Sequence, residues 1–269
     1  MSGAGDVLVD IHEICLTLGG TKILDGVSLQ VLDRVREGEV TGQVVALLGP
    51  SGVGKTRLLR IIAGLDAPDS GSVCGQEGAE LPAGSVGYVF QDYPLLQHRT
   101  VRSNLELAGT IAGMSPADAA ARAKKLMDTF DLTERAGYYP AFLSGGQRQR
   151  VAIAQQIMSP RRLLLMDEPF SGLDPAACGN VMDLVQEVAH LDELNTVLLV
   201  THDIRAAMAV SDTVHMLGRA HEDGKIVPGA KIRATYDMVE RGLAWKKGVE
   251  LQPDFIALER EISKRFHDL

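Results

Sequence analysis

Residues 49–56 read Gly49-Pro50-Ser51-Gly52-Val53-Gly54-Lys55-Thr56, a match to GxxxxGK followed by a hydroxyl residue. Each part of that pattern has a use. The glycines let successive backbone N–H groups turn inward around a polyphosphate, Lys55 can reach β and γ phosphates, and the Thr56 hydroxyl can hold Mg²⁺. The flanks supply the context such a loop needs. Val44-Val45-Ala46-Leu47-Leu48 is a continuous apolar run, as in strands buried on both faces, and Leu58, Ile61, Ile62 and Leu65 recur at helical spacing. A strand is therefore expected to enter the loop. A helix N-terminus, the positive end of its dipole, is expected to leave it.

Composition bounds the rest of the chain. Its 269 residues, 45% of them hydrophobic, suffice for one large domain or one domain carrying an inserted subdomain. With 27 Lys and Arg against 35 Asp and Glu the net charge is −8, which argues against a nucleic-acid groove. Cys15, Cys74 and Cys178 are widely spaced and odd in number, so neither a disulfide framework nor a CxxC pair is expected. Met1 to Asp10 lacks the features of a signal peptide, and no apolar run is long enough to span a bilayer. The expectation is a cytoplasmic protein whose membrane connection, if it has one, runs through a partner.

Outward from the loop, Val7 to Val31 alternates short apolar runs with turn signals at Gly19-Gly20 and Asp25-Gly26, predicting two or three antiparallel strands. Leu32 to Thr41 is a charged interruption, read as a solvated hairpin with a partner-binding loop as the alternative. Ala67-Pro68-Asp69-Ser70-Gly71 is expected to stop the first helix, and Val86 to Phe90 restores a strand that ends at Gln91. From Asp92 to Tyr139 the texture is helical. Ala117 to Phe130 predicts a helix with Ala121, Ala123, Leu126 and Phe130 on its buried face and Pro116 near its start. Strands resume at Leu163 to Met166 and Thr196 to Val200, so the fold class is α/β: a mainly parallel core with an N-terminal antiparallel part and an inserted helical subdomain. Beyond Gly218, Lys225 to Ala234 predicts a hairpin. Pro253 to Phe266 predicts an amphipathic helix with Phe255, Leu258, Ile262 and Phe266 on one stripe, docked on its own core or, second, at a dimer contact.

Two further stretches carry chemistry. Met166-Asp167-Glu168 closes a buried apolar strand, where open α/β sheets place ligands. There Asp167 is suited to Mg²⁺ and Glu168 to orienting or deprotonating a water for in-line attack on a γ-phosphate. Leu143-Ser144-Gly145-Gly146-Gln147 opens a second helix and could form a second anion site, although Ser144 alone would serve equally as an N-cap beside a glycine turn. One nucleotide does not need two such loops from one subunit.

The loop at Gly49 to Thr56, Gln91, Leu143 to Gln147, Leu163 to Glu168, Ser171-Gly172-Leu173-Asp174 and Thr201-His202-Asp203 follow the order and approximate spacing of ABC-type ATPases. Over Val7 to Leu217 the chain strongly resembles the nucleotide-binding subunit of a bacterial importer, with a weaker cast of nitrate-, sulfonate- or taurine-type systems. The resemblance implies a single ATPase domain: a nucleotide-binding core from 1–91 and 151–217, a helical subdomain with its signature loop at 92–150, and a C-terminal extension at 218–269. It implies ATP and Mg²⁺ as cofactors and a head-to-tail pair of copies, with ATP between the phosphate loop of one and the Ser144 loop of the other. Gly49, Ser51, Gly52, Gly54, Lys55, Thr56 and Arg57 would bind nucleotide on one side, and Ser144, Gly146 and Gln147 in trans. Thr56 and Asp167 would hold the metal, and the catalytic residues would be Gln91, touching the metal or the attacking water, Lys55, neutralising the β and γ phosphates, Glu168, the catalytic carboxylate, and His202, meeting the γ-phosphate, while Asp174 would link the two sites. Partners implied are a second copy, a transmembrane permease met near Tyr93, Pro94, Leu95 and Leu96, and a solute-binding protein reached through the permease; nucleic acid is not among them. The location implied is the cytoplasmic face of the membrane, by way of the permease.

The chain departs from the family at three positions. Leu18 stands where an aromatic usually stacks on adenine, and no Phe, Tyr or Trp precedes Tyr88. Packing on Leu18 or partial stacking on His12 remains, with weak base discrimination the expected result. Arg57 replaces a second hydroxyl and Gln155 a usual arginine, and neither removes a catalytic group. An exporter or lipid-trafficking ATPase stays open as the rival within the family. A soluble ABC protein would bring two cassettes or long coiled coils, and a phosphate-loop kinase would leave Leu143 to Gln147 unused.

Overall fold

The computed structural model describes residues 7–32, 42–79, 81, 84–159, 163–190, 196–222, 225–244, 246, 248–267 and 269. The charged stretch 33–41 lies outside them. Strands β1 (Val7–Leu18) and β2 (Thr21–Leu32) pair antiparallel across Gly19 and Gly20, which take φ of 55° and 79°. Then come β3 (Gln43–Leu48), α1 (Lys55–Ile62), β4 (Ser70–Cys74) and β5 (Gly87–Val89). The helices α2 (Val101–Ile111), α3 (Pro116–Thr129) and α4 (Gly145–Gln156) follow without an intervening strand. The remaining elements are β6 (Leu163–Asp167), α5 (Pro175–His190), β7 (Thr196–Thr201), α6 (Ile204–Val210), β8 (Thr213–Gly218), β9 (His221–Glu222), β10 (Lys225–Ile226), β11 (Lys231–Asp237) and α7 (Pro253–His267).

The main sheet has the order β11-β8-β3-β7-β6-β5, parallel throughout except for β11 on the edge, and β4 joins β1 and β2 in a separate antiparallel sheet. The apolar run of β3 is explained by two cores. Val44, Ala46 and Leu48 face one that includes residues of α2 to α7, while Val45 and Leu47 face the other, with α1 and the antiparallel sheet. A strand clothed on both sides has no polar face to show. The registers Leu48 with Thr201 and Asp167 with Val200 bring the carboxyl ends of β3, β7 and β6 side by side, and the site stands there.

Several expectations are corrected. Helix α1 ends at Ile62, because Gly64 takes φ of 67°, so Leu65 lies beyond the helix and is exposed. In α3 the buried side chains are Ala119, Ala123, Leu126 and Met127, with Phe130 at the cap; Ala121 is exposed. Lys225 to Ala234 is not one hairpin: Lys225–Ile226 pairs with His221–Glu222, and β11 returns along β8. The boundary drawn after residue 150 passes through α4. Leu95 is committed to the core, and of the apolar stretch beside it only Pro94 is exposed. Helix α7 buries Phe255, Leu258 and Ile262 in the same core, as its stripe predicts, so the C-terminal helix docks on its own domain. Among the described residues no helix is long and apolar enough to cross a membrane.

Candidate functional site

A cleft of about 400 Å³ opens above the carboxyl ends of β3, β6 and β7. Ser51, Gly52, Gly54, Lys55, Thr56 and Arg57 line one side of it, and Gln91, Glu168, Ser171 and His202 also line it, together with Leu18 and Ile23. The loop cannot be built from other residues without cost. Gly52 and Gly54 take φ of 75° and 116°, and a Cβ on Gly54 would stand 2.9 Å from Leu24 Cδ2. A Cβ on Gly49 would meet the Leu217 carbonyl oxygen at 2.5 Å, so Gly49 serves close packing against β8 rather than the cleft wall.

Lys55 is 5% exposed, and its Nζ donates to the carbonyls of Gly49 at 2.8 Å and Pro50 at 3.1 Å. It also pairs with Glu168 Oε1 at 3.0 Å. The second Glu168 oxygen accepts from the His202 backbone N–H at 3.3 Å and lies 2.8 Å from His202 Nδ1. With Nδ1 as the donor, Nε2 is left for another partner. Glu168 itself holds φ of 48°, a strained conformation for a side-chain-bearing residue, fixed by its N–H on Val200 O and its carbonyl on Ser171 N. Such strain costs about 1–3 kcal/mol, and it places a carboxylate where an unstrained strand end would not.

Beneath the cleft floor, Thr56 Oγ1 donates to Asp167 Oδ1 at 2.9 Å and Tyr88 OH donates to Asp167 Oδ2 at 3.1 Å. Burial pushes the Asp167 carboxyl above its ordinary pKa, while these two hydrogen bonds pull it down. Burial beside Asp167 also raises the Tyr88 phenol, keeping it a donor. A hydroxyl and a carboxylate oxygen together make a hard-oxygen pair of the kind that holds Mg²⁺ alongside substrate phosphates. Among the described residues no three His, Cys, Asp or Glu gather into a self-sufficient metal cage. Tyr88→Phe removes a donor from a buried carboxylate and is expected to lower the unfolding free energy by about 1.5–3 kcal/mol, read as a fall in urea midpoint. An unchanged midpoint would show that Tyr88 does not hold Asp167.

The remaining predicted residues sit elsewhere. Ser144 N-caps α4 in a reciprocal capping box with Gln147, their bonds being 3.3 and 3.0 Å, and neither they nor Gly146 line the cleft. Asp174 Oδ1 caps α5 through the N–H groups of Ala176 and Ala177, both at 3.0 Å. His12, paired opposite Ser72, does not line the cleft, so Leu18 alone remains of the two base-contact candidates. Sequence reasoning gave no role to Tyr88, to Ile23, to Ser171 in the cleft wall, or to Arg219, whose Nη2 donates to Gly52 O at 3.0 Å. Ser171 opens one of the quoted motifs and could have been found. Arg219 gives no local signal.

Residues 33–171 match the ABC transporter family. A sulfate/thiosulfate import ATP-binding protein of Gloeobacter violaceus is 38% identical over 85% of this chain and 69% of its own length. A methionine import ATP-binding protein of Mesorhizobium japonicum is 36% identical over 83% of this chain and 62% of its own. The chain thus spans about two thirds of the length of these curated relatives. Among solved structures, cbiO1 of Clostridium perfringens, part of the ABC transporter complex cbiONQ, shares the fold at a TM-score of 0.73 and 23% identity, over 95% of this chain and 99% of that one. A dimeric ATP-binding cassette in a post-hydrolysis state bound to ADP and Pi aligns at a TM-score of 0.66 and 27% identity, over 86% of this chain and 98% of that one.

Proposed function

The chain belongs to the ABC transporter family, and from that premise we propose that it is the ATP-hydrolysing subunit of an importer, driving solute entry through a separate permease. The observation that carries this is a division of parts. Lys55, Thr56 over Asp167, Glu168 and His202 converge on one cleft, while the Ser144 loop, which has the chemistry of a second anion site, is turned to a different surface. One subunit therefore holds two halves of different sites. A second copy, packed head to tail, brings the Ser144 loop over the phosphates held by Lys55, and two ATP molecules fill the seam.

Thr56 and Asp167 would hold Mg²⁺, with Gln91 touching the metal or the attacking water, and the ion would supply positive charge against the charge that develops on the phosphates. ATP displaces the Lys55–Glu168 ion pair, since the ammonium turns to the phosphates. That frees Glu168 to receive a proton from the attacking water, while the His202 backbone N–H keeps its hold on Glu168 and the ring N–H of His202 turns to donate to the γ-phosphate. Closing and opening of the dimer is the two-state movement passed to the permease near Pro94, and Asp174 couples the two sites. The solutes named for the relatives above differ, sulfate or thiosulfate in one and methionine in the other. On this reading solute choice lies with the permease and a solute-binding protein, and this subunit works at the cytoplasmic face through the permease.

A shared site makes rate depend on encounter. ATP hydrolysis is expected to rise more steeply than linearly with protein concentration while the dimer is incompletely formed; strict proportionality over that range would contradict the shared site.

A further inference from the structure

The cleft offers a base only one apolar wall. Leu18, 41% exposed, and Ile23 are its apolar side chains, and no aromatic residue lines it among the described residues. A purine laid on Leu18 would keep its other face in water.

A ring of the missing kind stands beside the other half of the site. Phe142 exposes 74% of its surface, two residues before Ser144. Tyr138 and Tyr139 are exposed as well, at 42% and 45%, and an exposed apolar residue is unremarkable in itself, but the backbone that carries Phe142 is held in place. Its N–H donates to Tyr139 O at 2.9 Å, Leu143 N–H donates to Pro140 O at 3.2 Å, and Arg148 Nη1 donates to Leu143 O at 2.7 Å. Leu143 is extended, with φ of −96° and ψ of 146°, and is buried in the core. Its neighbours on either side are thereby turned outward together, so Phe142 and Ser144 share one exposed face. Across the extended Leu143 their Cα atoms stand about 7 Å apart. A loop that sets Ser144 on a phosphate thus brings the Phe142 ring within reach of the same nucleotide.

We infer that Phe142 of the second copy supplies the aromatic wall of the base site, closing the adenine between its ring and Leu18. The assignment rests on the shared-site reading above. Because the backbone that carries the ring is held before binding, only the two side-chain torsions remain to be ordered. Every base has a π-face, so the contact raises affinity without choosing between purines. It also acts only in the closed dimer, which ties base recognition to dimer formation.

The test uses Glu168→Gln protein, with ATP-driven dimerisation followed by light scattering. Adding Phe142→Ala is expected to raise the ATP concentration for half-maximal dimer about tenfold, while Phe142→Trp restores it and shows emission quenched as the dimer forms. Monomer affinity for ATP, measured on Gly146→Glu protein, should not change with Phe142→Ala. A half-maximal concentration within about twofold of the parent would overturn the inference and leave the shared site standing. Loss of dimer in the Ala variant without quenching in the Trp variant would place the ring at a protein contact and likewise overturn it. If the Glu168→Gln parent gives no ATP-dependent dimer, the shared-site reading fails first.

Discussion

Glu168→Gln is expected to lower ATP turnover by about 10²–10⁴-fold, the usual worth of a positioned general base, while ATP binding persists. The amide keeps the size of the carboxylate and its hydrogen bond with the His202 N–H, so the strained backbone at φ of 48° has the same supports. It loses the capacity to take a proton from water. It also loses the ion pair that Glu168 Oε1 makes with Lys55 at 3.0 Å. Lys55 is then no longer held by a competing anion before nucleotide arrives, and ATP is expected to bind at least as tightly as to the parent. Tight binding without turnover leaves the dimer closed, and an ATP-dependent dimer should persist on gel filtration. Unchanged turnover in this variant would remove Glu168 from its assigned role.

Gly146→Glu should separate fold from function in the other half of the site. A Cβ on Gly146 would meet nothing within 4 Å, and its φ is not in the left-handed region. The side chain is accommodated in an isolated subunit, and an acidic residue in the first turn of α4 favours the helix dipole by a few tenths of a kcal/mol, about 0.3–1. Thermal stability and monomer ATP affinity are therefore expected to hold. Over a second copy's γ-phosphate the same carboxylate adds bulk and like charge in a water-poor seam, so hydrolysis should fall by at least about 100-fold, some 2.7 kcal/mol. Full activity in a folded variant would show that this loop does not meet nucleotide.

The elements of the core were legible because burial on both faces writes itself into a continuous apolar run, as in β3, and because the phosphate loop is contiguous in sequence. Shorter-range errors have local causes. Leu65 kept the helical period but lay past Gly64, whose positive φ ends α1. Ala121 was misplaced because an alanine-rich helix gives its faces little contrast, and burial in α3 is set by Leu126, Met127 and Phe130. The support of the site was not legible at all. Tyr88 and Asp167 meet across 79 residues, and Arg219 and Gly52 across 167. Such contacts are made by sheet order, which no spacing rule carries.

The shared site can be tested by mixing two inactive proteins. Lys55→Ala lacks a working phosphate loop, and Gly146→Glu lacks a working trans loop, so neither forms an intact site with itself. A mixed dimer pairs the intact phosphate loop of the second with the intact Ser144 loop of the first, restoring one site of the two. Steady-state hydrolysis of ATP by the mixture is predicted to exceed the sum of the separate proteins and to be greatest near equal proportions. A mixture no more active than that sum, with mixed dimers present, would contradict a site built from two copies.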